Sequence, residues 1–267
     1  QDRQEFHGQE TVVHELVETL KKADRGKSPN LIQLIGPNGV GKSHFVNLLQ
    51  DAVETFSRQP GGERFTFSII SAAQKSHGIT LLLPGRTLAE SSKHGGLPKE
   101  EDITFRLPSA LNINPIFLLS QTERSKLIKS LKDEGKLEPS ADYDFFITGG
   151  ALDKRSEKLV EALRRHYDGD LNKVFQNHIQ IERLDFPRGL IPAAETPHAE
   201  IQQLANEVQW SKAPRAIQNT PGLFEYKGYL PRSNNGAINI DDMGRSHQTD
   251  FTYLLETAQT GKLVLNS

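Results

Sequence analysis

The string Gly36-Pro37-Asn38-Gly39-Val40-Gly41-Lys42-Ser43 fits G-x-x-x-x-G-K-[ST] at every fixed position. Each residue type has a task. Glycines reach backbone dihedrals closed to other residues, so successive N–H groups can turn inward around a phosphate. A helix opening directly behind the loop adds its N-terminal dipole. Lys42 can reach the β- and γ-phosphates, and the Ser43 hydroxyl can ligate Mg²⁺. The expected ligands are therefore ATP and Mg²⁺. Such a site needs a carboxylate at the end of a neighbouring strand, to hold the metal through water and to orient the attacking water. Gly236-Ala237-Ile238-Asn239-Ile240-Asp241-Asp242-Met243 offers one, an apolar strand ending in two adjacent acids. Asp241 is the expected metal residue, and Lys42 and Asp242 the expected catalytic pair. Solvated turn carboxylates are the competing reading, because Asp-Asp before Met-Gly also resembles a turn.

The elements that would position these residues follow from hydrophobic pattern. Leu31 to Ile35 reads as a short buried strand running into the loop. Phe45, Val46, Leu48, Leu49 and Val53 then place an apolar stripe on a helix. Upstream, Val12, Val13, Leu16, Val17 and Leu20 recur at helical spacing. Phe65 to Ile70 and His178 to Phe186 alternate like strands. Residues 72–114 carry three Gly-rich or Pro-rich breaks, with apolar runs at Leu81–Leu83 and Ile103–Leu107. Mixed-charge amphipathic helices are expected over 121–135 and 154–167. Six prolines make 187–232 irregular apart from a helix near 198–208, and Thr249 to Thr260 reads as another helix.

Composition narrows the classes. The chain has 267 residues with net charge −2, 36% hydrophobic residues and no cysteine. That excludes a disulfide scaffold and a thiolate metal site, and argues against a globally basic nucleic-acid binder. No run approaches the roughly 18 apolar residues of a membrane span, and no signal core opens the chain. With mean hydropathy −0.53, part of the chain is expected to be solvated loop. Beginning at Gln1, with Met243 its only methionine, it reads as a processed fragment or as the ordered parts of a longer protein.

Phe6-His7-Gly8-Gln9-Glu10, the helix after it and the Gly-Pro-x-Gly-x-Gly-Lys loop resemble the opening of an AAA+ ATPase. Within that superfamily the chain resembles the PrkA family of serine protein kinases. His166-Tyr167-Asp168-Gly169-Asp170-Leu171-Asn172-Lys173-Val174 with Ile181-Glu182-Arg183, Ser233-Asn234-Asn235-Gly236-Ala237, and Leu254 to Lys262 carry this likeness. The resemblance implies an α/β P-loop NTPase with a parallel sheet, helices on both faces and a long insertion between the two motifs. Residues 1–71 would open the core, 72–232 form the insertion, and 233–267 supply the acidic strand and its helix. It also implies that His7 and Gly8 help hold the nucleotide, that the protein is cytoplasmic, and that it works as a homo-oligomer on a protein partner. Kinase activity is implied by the family name alone. Two departures stand out: the insertion lacks cysteines that family members often carry, and Asp242 stands where the family usually has Glu. The family places its sensor residue, arginine finger and helical lid after the segment ending at Ser267.

His7, His14, His77, His94, His166, His178 and His198 are scattered without ligand spacing and read as ordinary histidines. Arg164, Arg165 and Arg183 have acidic neighbours and read as a mixed-charge face. Trp210 reads as packing, Arg245 as a surface residue with a possible role across a subunit boundary, and Asn234-Asn235 as a turn. Two other functions compete with the AAA+ remodelling ATPase. One is a nucleic-acid-directed AAA+ motor or phage-defence ATPase; the other is a nucleotide-dependent scaffold with little turnover.

Overall fold

The computed structural model describes residues 10–24, 32–72, 103–138, 143–191, 200–203 and 210–240. Five helices of two turns or more occur among them: α1 (Glu10–Asp24), α2 (Lys42–Ser57), α3 (Gln121–Asp133), α4 (Lys154–His166) and α5 (Leu171–His178). The strands are β1 (Arg64–Ala72), β2 (Ile103–Pro108), β3 (Ile179–Leu184), β4 (Arg188–Ile191), β5 (Glu200–Gln203), β6 (Phe224–Lys227) and β7 (Ala237–Ile240). The chain is thus mixed α/β: the helices expected around Val12–Leu20, Phe45–Val53, 121–135 and 154–167 and the strand at Phe65–Ile70 are present, the alternation from His178 to Phe186 contains β3, and the apolar run Ile103–Leu107 forms β2. The expected run Leu81–Leu83 and the helix 249–260 lie outside the described residues.

Sheet topology departs from the expected flanked parallel sheet. The largest sheet among the described residues has order β2-β1-β3 and is antiparallel throughout. Among the described residues, only β4 and β7 pair in parallel, with Gly189 opposite Ile238 and Ile191 opposite Ile240. Both edges of β1 are occupied by antiparallel partners, so β1 offers no edge to the segment before the glycine loop. Residues 32–35 form no strand, and Ile35 is 86% exposed. This corrects the buried strand expected over 31–35: an apolar run can form a strand only where another strand supplies hydrogen bonds. A second correction concerns 198–208, where residues 200–203 are strand rather than helix, paired antiparallel with β6. The ladder offered by β6 overrides local helix preference.

The core joins β1 to elements far along the chain. Phe67 and Ile69 of β1 pack with Phe105 of β2, Leu159 and Leu163 of α4, Val174 of α5, and Ile217. Trp210 packs on this cluster with its ring 5.7 Å from that of Phe105, as the packing reading required. α3 opens on a capping box: the Ser120 hydroxyl accepts from the Glu123 N–H, and Ser120 N–H donates to the Glu123 carboxylate at 2.8 Å. Those bonds hold the Glu123 carboxyl below its usual range. The string His166 to Val174 owes its residue types to a tight corner between α4 and α5. Asp168 and Gly169 both adopt positive φ (52° and 87°), Gly169 N–H donates to Arg164 O, and Asp170 caps α5.

His178 is a structural histidine, as its isolation suggested. Its Nδ1 lies 3.1 Å from the Ile70 carbonyl, which can only accept, so Nδ1 carries the proton. Nε2 then accepts from the Tyr167 hydroxyl at 2.9 Å. Burial pushes the His178 pKa down and that of Tyr167 up. The folded state therefore favours neutral imidazole. The stability it contributes is complete above the unfolded value of about 6.5 and is lost as pH falls from there through the lowered folded value. Melting temperature measured from pH 7.5 to 5 should fall in the parent and fall less steeply in His178→Phe. Parallel slopes would show that His178 does not drive the loss.

Candidate functional site

Everything about the glycine loop except its sheet partner follows the motif. Gly39 (φ 83°) and Gly41 (φ 86°) take left-handed backbone that an L side chain rarely adopts. Gly41 is the N-cap of α2, and Phe45 N–H closes the first turn on its carbonyl at 2.9 Å. The Lys42 ammonium folds back over the loop and donates to the Gly36 and Pro37 carbonyls at 2.7 and 2.8 Å. Pro37, Asn38, Gly39 and Val40 are all exposed, so the loop is open to an incoming ligand.

Three of the longer helices start under side-chain caps. Ser120, Asp153 and Asp170 cap α3, α4 and α5, accepting from first-turn N–H groups. α2 differs, since Gly41 has no side chain to offer and its first turn holds no acid. Its positive end is therefore left for an external anion beside the Lys42 charge. A phosphate fits this set: a helix start without a side-chain cap, two left-handed glycines and one ammonium.

Arg188 ties α2 to the strand pair, a link that sequence reading missed. Its Nη2 lies 2.8 Å from Asp51 Oδ1 and also contacts the Glu54 carboxylate, both on α2. β4, which begins at Arg188, runs parallel to β7, and β7 ends at Ile240, one residue before Asp241. Close packing makes this pair possible: a Cβ on Gly236 would stand 1.9 Å from the Pro187 carbonyl oxygen, and one on Gly189 2.5 Å from Ile238 Cγ1. The expected turn at Asn234-Asn235 is present, with Asn235 at φ 61°. It is pinned to a loop over a hundred residues earlier: Asn234 Nδ2 donates to Leu111 O and Asn235 Nδ2 to Asn112 O. Asn112 Nδ2 returns a bond to Asn234 O. No local signal marks these links, because the partners are distant in sequence.

Of the expected site residues, Gly36, Pro37, Asn38, Gly39, Val40, Gly41, Lys42 and Ser43 come together in the loop. His7, Gly8, Asp241 and Asp242 lie outside the described residues, as do Arg245, His77, His94 and His198. Among the described residues no group of three His, Asp or Glu side chains could hold a metal ion. Ser43, at the exposed start of α2, is the one described residue of the expected metal set. No described helix is long and apolar enough to cross a membrane. Two of the three basic residues flagged in the sequence are engaged internally: Arg165 pairs with Glu161 at 3.2 Å, and Arg183 Nη2 donates to the Ser57 carbonyl at 2.9 Å. Compared with protein-family models, curated proteins and solved structures, the chain matches none.

Proposed function

We propose that the chain is the ATP-binding module of a P-loop ATPase, AAA+-like in organisation and resembling the PrkA family. The single observation that carries this reading is the start of α2. A complete G-x-x-x-x-G-K-S loop holds Gly39 and Gly41 in left-handed backbone, with its lysine over the loop and neither a side-chain cap nor an acid in the first turn of the helix. Lys42 and the first N–H groups of α2 would bind the β- and γ-phosphates of ATP. Ser43 and Asp241 would hold Mg²⁺, which when bound neutralises charge developing on the transferred phosphoryl oxygens. Asp242 would accept a hydrogen bond from the attacking water and orient it. Arg188, between α2 and β4, would keep the phosphate loop and the acidic strand end in register. A protein partner is favoured over nucleic acid, because Arg165 and Arg183 already bind within the chain.

Binding of a fluorescent ATP analogue, followed by phosphate release with and without DNA, tests the reading. Saturable Mg²⁺-dependent binding with slow release, unchanged by DNA, is the expected result; no saturable binding would remove the proposal. Oligomeric action predicts that the rate per subunit rises between nanomolar and tens of micromolar protein. A flat rate from a monomer seen by light scattering would count against assembly.

Loop geometry supplies a further comparison. A Cβ at Gly36 meets the Val40 methyl at 3.4 Å and Lys42 Cδ at 4.0 Å, ordinary contacts, whereas Gly39→Ala forces a side chain onto φ +83°. That conformation costs about 1–2 kcal/mol, equivalent to roughly tenfold in affinity if the bound loop keeps it. Gly39→Ala should thus weaken ATP binding roughly tenfold and Gly36→Ala clearly less. Equal losses would mean that the left-handed turn is not required for binding.

A further inference from the structure

A second cleft, remote in sequence from the glycine loop, lies between the end of β2, the start of α4, and β6 with the helical turn Tyr229–Arg232. Its volume is about 360 Å³, within the range of about 300–1,000 Å³ usual for small-ligand sites. Arg155 is its central cation. That side chain is only 5% exposed and feels the Asp153 and Glu225 carboxylates. One guanidinium nitrogen, Nη2, donates to the Pro108 carbonyl, and Nε is buried with no partner. Burial still outweighs these two carboxylates and pushes the Arg155 pKa down, and the cost of burying the cation falls when a further anion enters.

Other groups around the cleft agree in sign and in donor capacity. Lys227 and Arg232 stand on its exposed rim, so three cations line it against one carboxylate, Glu225. Glu225 is 3.8 Å from Lys227, a loose pairing that leaves the ammonium available. Asp153, nearby, already accepts from the Arg155 and Ser156 N–H groups through Oδ1. Ser109, at the cleft wall, accepts from Ile113 N–H at 3.0 Å and keeps its own hydroxyl proton to donate. Tyr226 likewise accepts a bond from the Lys154 backbone and retains its proton. Convergent cations and hydroxyl donors match a tetrahedral oxyanion of charge near −2 better than a monocarboxylate.

We propose that this cleft binds a small phosphomonoester, its phosphate group paired with Arg155, Lys227 and Arg232. The proposal does not rest on the ATP reading, and the test separates the two sites. Equilibrium dialysis is run on the full chain carrying Lys42→Ala, which disables the glycine loop, with radiolabelled inorganic phosphate and with O-phosphoserine. Saturable binding of one equivalent is expected. Adding the rim changes Lys227→Gln and Arg232→Gln, both at exposed positions, should weaken it roughly tenfold or more with the melting temperature preserved. Tighter binding of O-phosphoserine than of phosphate would assign the surplus volume to the organic part; equal binding would assign the site to free phosphate. Loss of all phosphate binding with Lys42→Ala alone would overturn the proposal, as would unchanged affinity in the rim variant. Acetate competing as well as phosphate would overturn the phosphate assignment.

Discussion

Lys42→Ala should reduce affinity for ATP roughly a hundredfold while leaving the fold intact. Hydrogen bonds to charged groups contribute about 1.5–3 kcal/mol each, and this ammonium is the cation of the loop that can reach two phosphates. In the ligand-free arrangement it donates to the Gly36 and Pro37 carbonyls. These are exposed bonds of modest worth, and the backbone they brace is also held by the Phe45–Gly41 bond at the start of α2. The melting temperature should therefore stay within about two degrees of the parent, as for other surface substitutions. Titration of a fluorescent ATP analogue, with circular dichroism as the folding control, reads both quantities. Unchanged affinity would end the phosphate-site assignment, whatever the motif suggests.

Turnover should be abolished by Asp242→Asn with ATP still bound. The amide keeps the size of the carboxylate but loses the charge that orients the attacking water. Asp241→Asn should instead raise the Mg²⁺ concentration needed for half-maximal activity. Even the parent is expected to be slow. Asp is one methylene shorter than Glu, which places its carboxylate about 1.5 Å from where a Glu would hold the water. Misplacement by about 1 Å can cost on the order of 100-fold in rate, because positioning supplies much of phosphoryl-transfer catalysis. Asp242→Glu should accordingly speed hydrolysis if the site has room. Single-turnover phosphate release with pre-bound ATP distinguishes these cases. An Asp242→Asn protein as fast as the parent would make Asp242 a turn residue and move the base elsewhere.

A nucleotide-dependent scaffold remains the alternative to a working ATPase, and the same measurement decides between them. A scaffold predicts tight binding with no release above background in parent and variant alike. An ATPase predicts slow release that vanishes with Asp242→Asn.

What the sequence determined by itself was local. The loop from Gly36 to Ser43, the helix behind it, the capping of α3 at Ser120 and the alternation of β1 and β3 all depend on neighbours within a few residues. Glycine dihedrals, capping bonds and hydrophobic period act over that range, so residue types and spacing suffice to read them. Tertiary structure decided the rest. Leu34 and Ile35 pair with no strand, although their apolar pattern reads as one, because pairing needs a partner brought alongside by the fold. Residues 200–203 became strand because β6, more than twenty residues later, presents a ladder to them. Arg188 meeting Asp51 and Glu54, Asn235 meeting Asn112, and the Arg155 cleft closed by β6 likewise join positions separated by tens of residues or more. Such contacts form because the chain returns through space, and pairing across a return has no fixed spacing to leave in the sequence.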